Sequence, residues 1–209
     1  LDIRVVHLEA GLRSFDRTMP EEINRLVTDA IADLLLVSEP AGEVNLRHEG
    51  VAESRIRFVG NVMIDTLTRE LHAARALQYA ATLGLERHGY AVVTLHRPSN
   101  VDDAAQLEAL MAFLLQVSES LHIVFPVHPR TRARLERAGW LDRLTANPAF
   151  RILPPVSYRE NLSLLADARL VLTDSGGIQE ETSSLGVPCL TLRRNTERPV
   201  TVSEGTNTL

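Results

Sequence analysis

Short apolar runs that alternate with helix-like periods constrain the fold of this sequence more than any other feature. Unbroken runs of Val, Ile and Leu, without apolar/polar alternation, are typical of strands that helices cover on both faces. Steady succession of strand, helix and strand indicates βαβ units and therefore parallel sheets. The pattern predicts an α/β protein with eight strands, over residues 3–8, 34–38, 56–59, 90–95, 123–127, 151–153, 170–173 and 187–192.

Helices are predicted between these strands. Pro20 suits the first turn of a helix, and Glu21 and Glu22 suit the positive end of its dipole. Apolar residues then recur at helical spacing and are predicted to face inward: Ile23, Leu26, Val27, Ala30 and Ile31. Further helices are expected over residues 63–85, from 102 onward, over 158–166 and over 176–185.

The number of strands fits two sheets better than one. The weakest point between them lies after Gly60-Asn61, before the long helical stretch that follows. We therefore expect two units, residues 1–62 and residues 63–209. The chain opens on a strand-like run without an initiator Met, and we expect it to be an internal piece of a longer protein.

Charge and composition exclude several functional classes. The 209 residues include 22 Lys and Arg against 27 Asp and Glu, a net charge of −5, which argues against a dedicated nucleic-acid binder. No apolar run reaches the roughly 18 residues of a membrane helix, so no membrane association is expected. The single cysteine, Cys189, cannot form an internal disulfide, which favours a reducing, cytoplasmic compartment.

Polar motifs follow several predicted strands, at the sheet edge where open α/β proteins bind ligands. In the run Thr173-Asp174-Ser175-Gly176-Gly177, two glycines would let the backbone approach a phosphate, and the next helix would offer free N–H groups. Glu180 or Glu181, one turn later, could accept both hydroxyls of a ribose. A merely structural turn would need the same glycines, so the spacing leaves both interpretations open.

Candidate acid/base groups lie near other strand ends. His96 could exchange a proton and Arg97 could clamp a phosphate, although His96 could instead cap the next helix. Glu9 and Glu21 flank a glycine turn and could form an acid/base pair, although Glu21 also suits a plain first-turn position. His and Cys spacings predict no metal site, and no dinucleotide or Walker motif is present.

Taken together, the motifs resemble the non-hydrolysing UDP-N-acetylglucosamine 2-epimerases. The family signatures H-x-E-A-G-L-R and P-E-E-x-N-R are matched at residues 7–13 and 20–25. Other family motifs follow in the same order: Gly60-Asn61, Leu95-His96-Arg97, Pro126-Val127-His128-Pro129, the run from Thr173 to Glu181, and Thr196-Glu197-Arg198-Pro199. The resemblance implies a GT-B-like fold of two Rossmann-type lobes, the first of them incomplete here, with the site in the cleft between them.

The resemblance also implies an activity and the residues that perform it. The family interconverts UDP-GlcNAc and UDP-ManNAc through a 2-acetamidoglucal, without a cofactor, and a cytoplasmic homodimer of polysaccharide biosynthesis is expected. Acid/base roles would fall to Glu9, Glu21 and His96. Substrate-binding roles would fall to Arg25, Arg97, His128, Val156, Asn161, Ser175, Gly176, Gly177, Glu181 and Arg198.

The chain departs from the family in two respects. Pro98 and Ser99 stand where members often carry Arg and Glu, so we expect no allosteric control by a second UDP-GlcNAc at that loop. The family's first Arg- and Lys-bearing loop, a catalytic Asp and the closing helix have no match, so the 209-residue chain alone is expected to be inactive. A GT-B glycosyltransferase, a hydrolysing epimerase and a non-catalytic UDP-sugar sensor stay open as alternatives.

Overall fold

The computed structural model describes residues 3–209, and within that range the chain builds two parallel sheets. The smaller sheet pairs its strands in sequence order: β1 (Val6–Leu8), β2 (Leu34–Val37) and β3 (Ile56–Phe58). Two helices and a 3₁₀ turn connect them: α1 (Pro20–Ile31), α2 (Pro40–His48) and Glu53–Arg55. Each connection returns the chain to a parallel neighbour, as a βαβ unit requires.

The larger sheet has the strand order β6-β5-β4-β7-β8-β9, and all its neighbouring strands are parallel. Its strands are β4 (Tyr90–Thr94), β5 (His122–Pro126), β6 (Phe150–Leu153), β7 (Leu170–Thr173), β8 (Cys189–Thr191) and β9 (Asn207–Thr208). Its helices are α3 (Val62–Ala76), α4 (Tyr79–Thr82), α5 (Pro98–Val101), α6 (Ala104–Ser118), α7 (Pro129–Arg137), α8 (Trp140–Ala146), α9 (Tyr158–Asp167), α10 (Gly176–Leu185) and α11 (Pro199–Ser203).

Strand β4 shows why the apolar runs are unbroken. Val93 packs into the core on one face of the sheet, with Phe125, while Tyr90 and Val92 pack into the core on the other face. Successive side chains point to opposite faces, and both faces are buried, so the run from Ala91 to Val93 is apolar without a break. The predicted α/β class with parallel sheets is confirmed.

Helix starts follow local sequence rules. The Asn61 side chain accepts hydrogen bonds from the N–H groups of Met63 and Ile64 and so caps α3. Asp103 caps α6, and Ser157 with Glu160 forms a capping box at α9. In helix α10, as in α1 and α2, the N-cap residue makes no side-chain hydrogen bond to the helix; in α10 that residue is Ser175. The α10 N–H groups are therefore open to another acceptor.

Several predicted elements need correction. The first strand begins at Val6, and the polar strand β9 carries no apolar signal that could have predicted it. The helix expected over 63–85 is two helices, because Gln78 adopts a left-handed conformation with φ of 45°. The division after residue 62 stays a proposal, although α3 packs against helices of the larger sheet.

The prediction that the apolar residues of α1 face inward is wrong. Ile23, Val27 and Ile31 are exposed, whereas Glu22 and Asp29 on the same helix are buried. Glu22 accepts hydrogen bonds from the Ser14 and Phe15 amides, and Asp29 accepts one from the Gly11 amide. Hydrogen bonding to the loop after β1 thus offsets the cost of burying these carboxylates.

Two further expectations can be compared with the structure. Cys189, which was expected to form no internal disulfide, is buried in β8, and burial raises the pKa of its thiol. Between residues 3 and 209, the helices are too short or too polar to cross a bilayer.

Candidate functional site

The turn into α10 lies at the carboxyl end of β7 and has no room for side chains. A Cβ on Gly176 would lie 2.4 Å from Glu197 Oε1, and one on Gly177 would lie 2.8 Å from Met63 Cε. Packing therefore disfavours a larger residue at position 176, where Arg193 holds the Glu197 carboxylate in place, more than at position 177, where the end of the Met63 side chain is flexible. The uncapped N-terminus of α10 directs N–H groups and a positive dipole end outward, which suits an anion.

Helix α1 of the smaller sheet meets this turn through an ion-pair network. Glu21 Oε1 lies 3.2 Å from Arg97 Nη1, and Arg97 Nη2 lies 3.6 Å from Glu197 Oε1. Arg25 Nη2 lies 3.7 Å from the same Glu197 oxygen. Burial opposes ionisation of Glu197, but Arg193 at 2.7 Å outweighs it and lowers the pKa of Glu197 to about 2. The Glu197 carboxylate is thus ionised, and it pairs with Arg25, Arg97 and Arg193.

His96 is held by a buried carboxylate. Its Nδ1 lies 2.8 Å from Asp174 Oδ1, and Asp174 also accepts hydrogen bonds from the backbone amides of His96 and Arg97. The imidazole reaches the cleft and faces His128, with 6.4 Å between the ring centroids. His96 Nδ1 therefore pairs with Asp174, and the other ring nitrogen is available to a ligand.

Arg198 links the two sheets through three carboxylates. Its guanidinium lies 3.3 Å from Glu9, 3.6 Å from Glu39 and 3.3 Å from Glu180. Burial raises the pKa of Glu180 to about 7, against the attraction of Arg198, and burial likewise raises the pKa of Glu39. Asn61 Nδ2 donates to Glu180 at 2.6 Å. One guanidinium thus pairs with three carboxylates, and burial raises the pKa of two of them, Glu180 and Glu39.

The backbone of Glu9 is unusual. Its φ is 63°, in the left-handed region that a residue with a Cβ seldom adopts. Gly11, two residues on, has φ of 79°, and a Cβ there would lie 2.3 Å from the Gly42 carbonyl oxygen. Strained backbone of this kind persists where the surrounding structure demands it, often at functional sites. The loop thereby directs the Glu9 carboxylate towards Arg198.

Two connected depressions surround His96. The larger, of about 1130 Å³, is lined by Glu21, His96, Arg97, His128 and by residues of the loop after β8. The smaller, of about 300 Å³, is lined by His96 and His128 together with Pro155, Val156, Tyr158 and Asn161. The smaller one has the mixed apolar and amide lining that suits a planar heterocycle.

Glu181 lies one turn into α10 and is buried. Burial raises the pKa of its carboxyl, while Tyr158 beside it acts in the opposite direction. A buried carboxyl with a hydroxyl neighbour can accept hydrogen bonds from the diol of a ribose.

The structure thus brings part of the predicted set together near the α10 turn, in two networks, whereas His128, Val156 and Asn161 line the smaller depression. Glu21, Arg25 and Arg97 meet at Glu197, and Glu9 meets Arg198; Glu9 and Glu21 bind different arginines. Among residues 3–209, no group of three or more His, Cys, Asp or Glu is arranged to hold a metal ion.

Four charged residues of the site were absent from the predicted set: Asp174, Glu197, Glu39 and Arg193. Asp174 and Glu39 each lie just after a strand, so the strand-end rule could have found them. Arg193 likewise follows β8, whereas Glu197 lies farther along the same loop, whose course no periodicity reveals. Their pairing required the fold.

Comparison with known proteins is consistent across sequence and structure. The family model described as UDP-N-acetylglucosamine 2-epimerase matches residues 1–209. A UDP-N-acetylglucosamine 2-epimerase of Methanocaldococcus jannaschii is 43% identical over the whole chain, which spans 58% of that relative. A Pseudomonas aeruginosa UDP-2,3-diacetamido-2,3-dideoxy-D-glucuronate 2-epimerase is 38% identical, and the chain spans 57% of it.

A solved structure extends the comparison to three dimensions. The crystal structure of the M. jannaschii UDP-GlcNAc 2-epimerase in complex with UDP-GlcNAc and UDP superposes with a TM-score of 0.92 at 44% identity. The match covers 98% of this chain and 57% of that one. The GT-B-like arrangement of two parallel-sheet units is therefore shared.

Proposed function

Because this chain belongs to the UDP-N-acetylglucosamine 2-epimerase family, we propose that the protein containing it interconverts UDP-GlcNAc and UDP-ManNAc. The observation that carries the proposal is the juxtaposition at the α10 turn. Carboxylates from the smaller sheet and an imidazole from the larger one surround an uncapped helix N-terminus. Proton transfer and binding of an anionic leaving group are the two demands of this reaction.

The proposed chemistry is an elimination followed by re-addition. A base removes the proton at sugar C2, the C2 electron pair forms the C1–C2 double bond, and the C1–O bond breaks with its pair leaving on UDP. The resulting 2-acetamidoglucal then takes a proton at C2 from the opposite face while UDP adds back at C1. Because opposite faces are involved, two proton-transfer groups are needed.

We propose that Glu9, Glu21 and His96 provide these groups. Glu9 comes from the loop after β1 and Glu21 from α1, whereas His96 follows β4, so the three approach the cleft from two directions. Closure of the two sheets around the sugar would keep the glycal from water.

UDP binding is proposed for the larger sheet. Ser175, Gly176 and Gly177 would hold the diphosphate at the α10 N-terminus, with Arg25, Arg97 and His128 nearby. Val156 and Asn161 would hold the uracil and Glu181 the ribose. Arg198 Nε has no hydrogen-bond acceptor among the described residues, which supports a phosphate contact. A homodimer, a cytoplasmic location and a role in polysaccharide biosynthesis complete the proposal.

The direct test incubates the complete polypeptide with UDP-GlcNAc in D₂O, without an acceptor, and follows the sugar by ¹H NMR. UDP-ManNAc should form, with deuterium at C2 in both sugars. Release of free ManNAc and UDP would instead identify a hydrolysing epimerase. Recovery of UDP-GlcNAc without deuterium at C2 would contradict epimerase function, and it would favour a transferase or a sensor.

Two comparisons refine the test. A diacetamido UDP-sugar should be assayed beside UDP-GlcNAc, because one relative is named for such a substrate. The 209-residue chain alone should be inactive, since the relatives extend well beyond the matched region. Full turnover by the isolated chain would remove that part of the proposal.

A further inference from the structure

Asp174 is a fully buried carboxylate that the proposed reaction does not use directly. Its side chain is 0% exposed and lies at the end of β7, next to the N-cap of α10. It accepts hydrogen bonds from the His96 and Arg97 amides at 3.1 and 2.9 Å and from Asn100 Nδ2 at 3.0 Å. Its other oxygen lies 2.8 Å from His96 Nδ1. Every group around the Asp174 carboxylate is therefore a possible donor.

We propose that Asp174 is a positioning residue, which holds His96 in the tautomer with the proton on Nδ1 and the lone pair on Nε2. A carboxylate can only accept hydrogen bonds, so the ring nitrogen that faces it must carry the proton. Nε2 is then the ring atom that can take a proton from a ligand. The importance of this for turnover rests on the proposed function, whereas the tautomer itself does not.

The charge state of Asp174 supports the proposal. Burial acts to raise the pKa of this carboxyl, but the hydrogen bond and charge of His96, with the Arg97 amide and Asn100, hold it below its ordinary value. Asp174 is thus ionised at neutral pH, and it stabilises positive charge when His96 gains a proton. During that step one N–H bond forms at Nε2, the Nδ1–H bond stays intact, and no proton passes to Asp174.

Asp174 also links the His96 imidazole to the turn at the start of α10, because of its position in the chain. It immediately precedes Ser175, so the residue that orients the imidazole is covalently joined to the turn that would hold the diphosphate. Arg97 Nε also donates to the Asp174 carbonyl oxygen at 3.4 Å. The distance between the proton-transfer group and the leaving-group site is therefore set by a single residue. Catalysis depends strongly on such placement.

The test compares Asp174→Asn with the matched control Asn100→Ala in the complete polypeptide. Asn at position 174 offers one carbonyl oxygen to four donors, the imidazole among them, so its NH₂ group must face at least one of these donors. Removal of the Asn100 side chain loosens the same loop, because it deletes hydrogen bonds to Asp174 and to the Leu192 carbonyl, but it leaves the imidazole pair intact.

The first measurement is the ¹⁵N spectrum of histidine-labelled protein, with the His96 signals assigned by their loss in His96→Gln. Wild-type and Asn100→Ala proteins should show protonated Nδ1 and unprotonated Nε2, and Asp174→Asn should lose that single tautomer. A wild-type proton on Nε2 in the neutral ring would overturn the proposal, and this observation does not depend on the folding of Asp174→Asn.

The second measurement separates kcat from KM. Asp174→Asn should lower kcat by about 10²-fold or more while KM for the UDP-sugar changes less than about threefold. Asn100→Ala should retain most of its kcat. A changed tautomer with unchanged kcat would overturn the positioning role. A wild-type protein without epimerase activity but with the predicted tautomer would instead contradict the proposed function alone.

Discussion

The two sheets are built from the same kind of sequence yet are covered very differently. In the larger sheet both faces are packed, and Val92 and Val93 are completely buried on opposite sides. In the smaller sheet only a small cluster around Leu35 is buried, and Val6 and Phe58 on its strands are exposed. Hydrophobic periodicity thus specifies strands and helices in both regions, but it does not specify what covers them.

The sheets also differ in the chemistry they bring to the cleft. The smaller sheet contributes the carboxylates of Glu9, Glu21 and Glu39, and the larger one contributes His96, Arg198 and the N-terminus of α10. Under the proposed function, the smaller sheet mainly moves protons and the larger one mainly binds UDP. Each of the following predictions tests one side of this division.

The largest effect is expected for Glu9→Gln. The amide keeps the size of the side chain but cannot accept a proton, so turnover should fall by about 10²–10⁴-fold. UDP affinity, measured by calorimetry, should change less than about threefold. Glu53→Gln, at an exposed carboxylate of the same sheet, serves as the control and should keep full turnover. A large loss of UDP affinity in Glu9→Gln would contradict the division of labour.

The next largest effect is expected from cavities in the two hydrophobic cores, which should differ in their cost to stability. Phe125→Ala removes a fully buried ring from the larger core and should reduce the free energy of unfolding by about 3–5 kcal/mol. Leu46→Ala, in the smaller cluster, should cost less, about 2–3 kcal/mol, because fewer neighbours surround the cavity. Urea denaturation of both variants provides the comparison. Equal losses would show that the small cluster is packed as tightly as the large one.

Stability should depend on pH through Glu180. Its pKa of about 7 in the folded protein exceeds its ordinary value of 4.5, so the folded state binds the extra proton between these pH values. The contribution of Glu180 to the free energy of unfolding is therefore fully present below about pH 4.5, and it is lost as the pH rises through 7. Glu180→Gln should gain up to about 3 kcal/mol at pH 8 and almost nothing at pH 4.5.

The measurement is urea denaturation of wild type and Glu180→Gln across that pH range. The glutamine oxygen can still accept from Asn61, so the polar contact is preserved. Glu136→Gln, an exposed carboxylate on α7, should leave the pH dependence unchanged. A gain that is the same at every pH would contradict proton uptake by Glu180.

The smallest effect is expected on the exposed face of α1. Ile31 is 66% exposed, so Ile31→Ser should change the free energy of unfolding of this chain by less than about 0.5 kcal/mol. Leu35→Ser places a hydroxyl group at a fully buried position of the smaller sheet, and it should destabilise the chain severely. A cost above about 1 kcal/mol for Ile31→Ser would show that the α1 stripe is covered in solution.

Much of the fold could be predicted because strands buried on both faces leave continuous apolar runs. The α10 bounds were predicted correctly, since the glycine pair and Leu185 mark its two ends. Helix α1 was placed correctly, but its buried face was not, because hydrogen bonds to Glu22 and Asp29 outweigh the apolar stripe. Such contacts join residues distant in sequence and leave no periodic signal.

The candidate site shows the same limit. Strand-end position and motif resemblance named Glu9, Glu21, His96 and the α10 turn as its candidate members. The partners of these groups could not be predicted, because Arg198 and Glu9 are separated by 189 residues in sequence and meet only in the folded chain. Their roles in binding and catalysis stay predictions until the variants are measured.

The left-handed backbone at Glu9 has an evolutionary consequence. Its φ of 63° costs about 1 kcal/mol or more for any residue that bears a Cβ, and glycine alone would escape that penalty. Selection for thermal robustness alone would drive position 9 towards glycine, which has no side chain to protonate. Under the proposed function, the glutamate side chain compensates for that cost, and a stabilised variant with glycine at this position would have lost its activity.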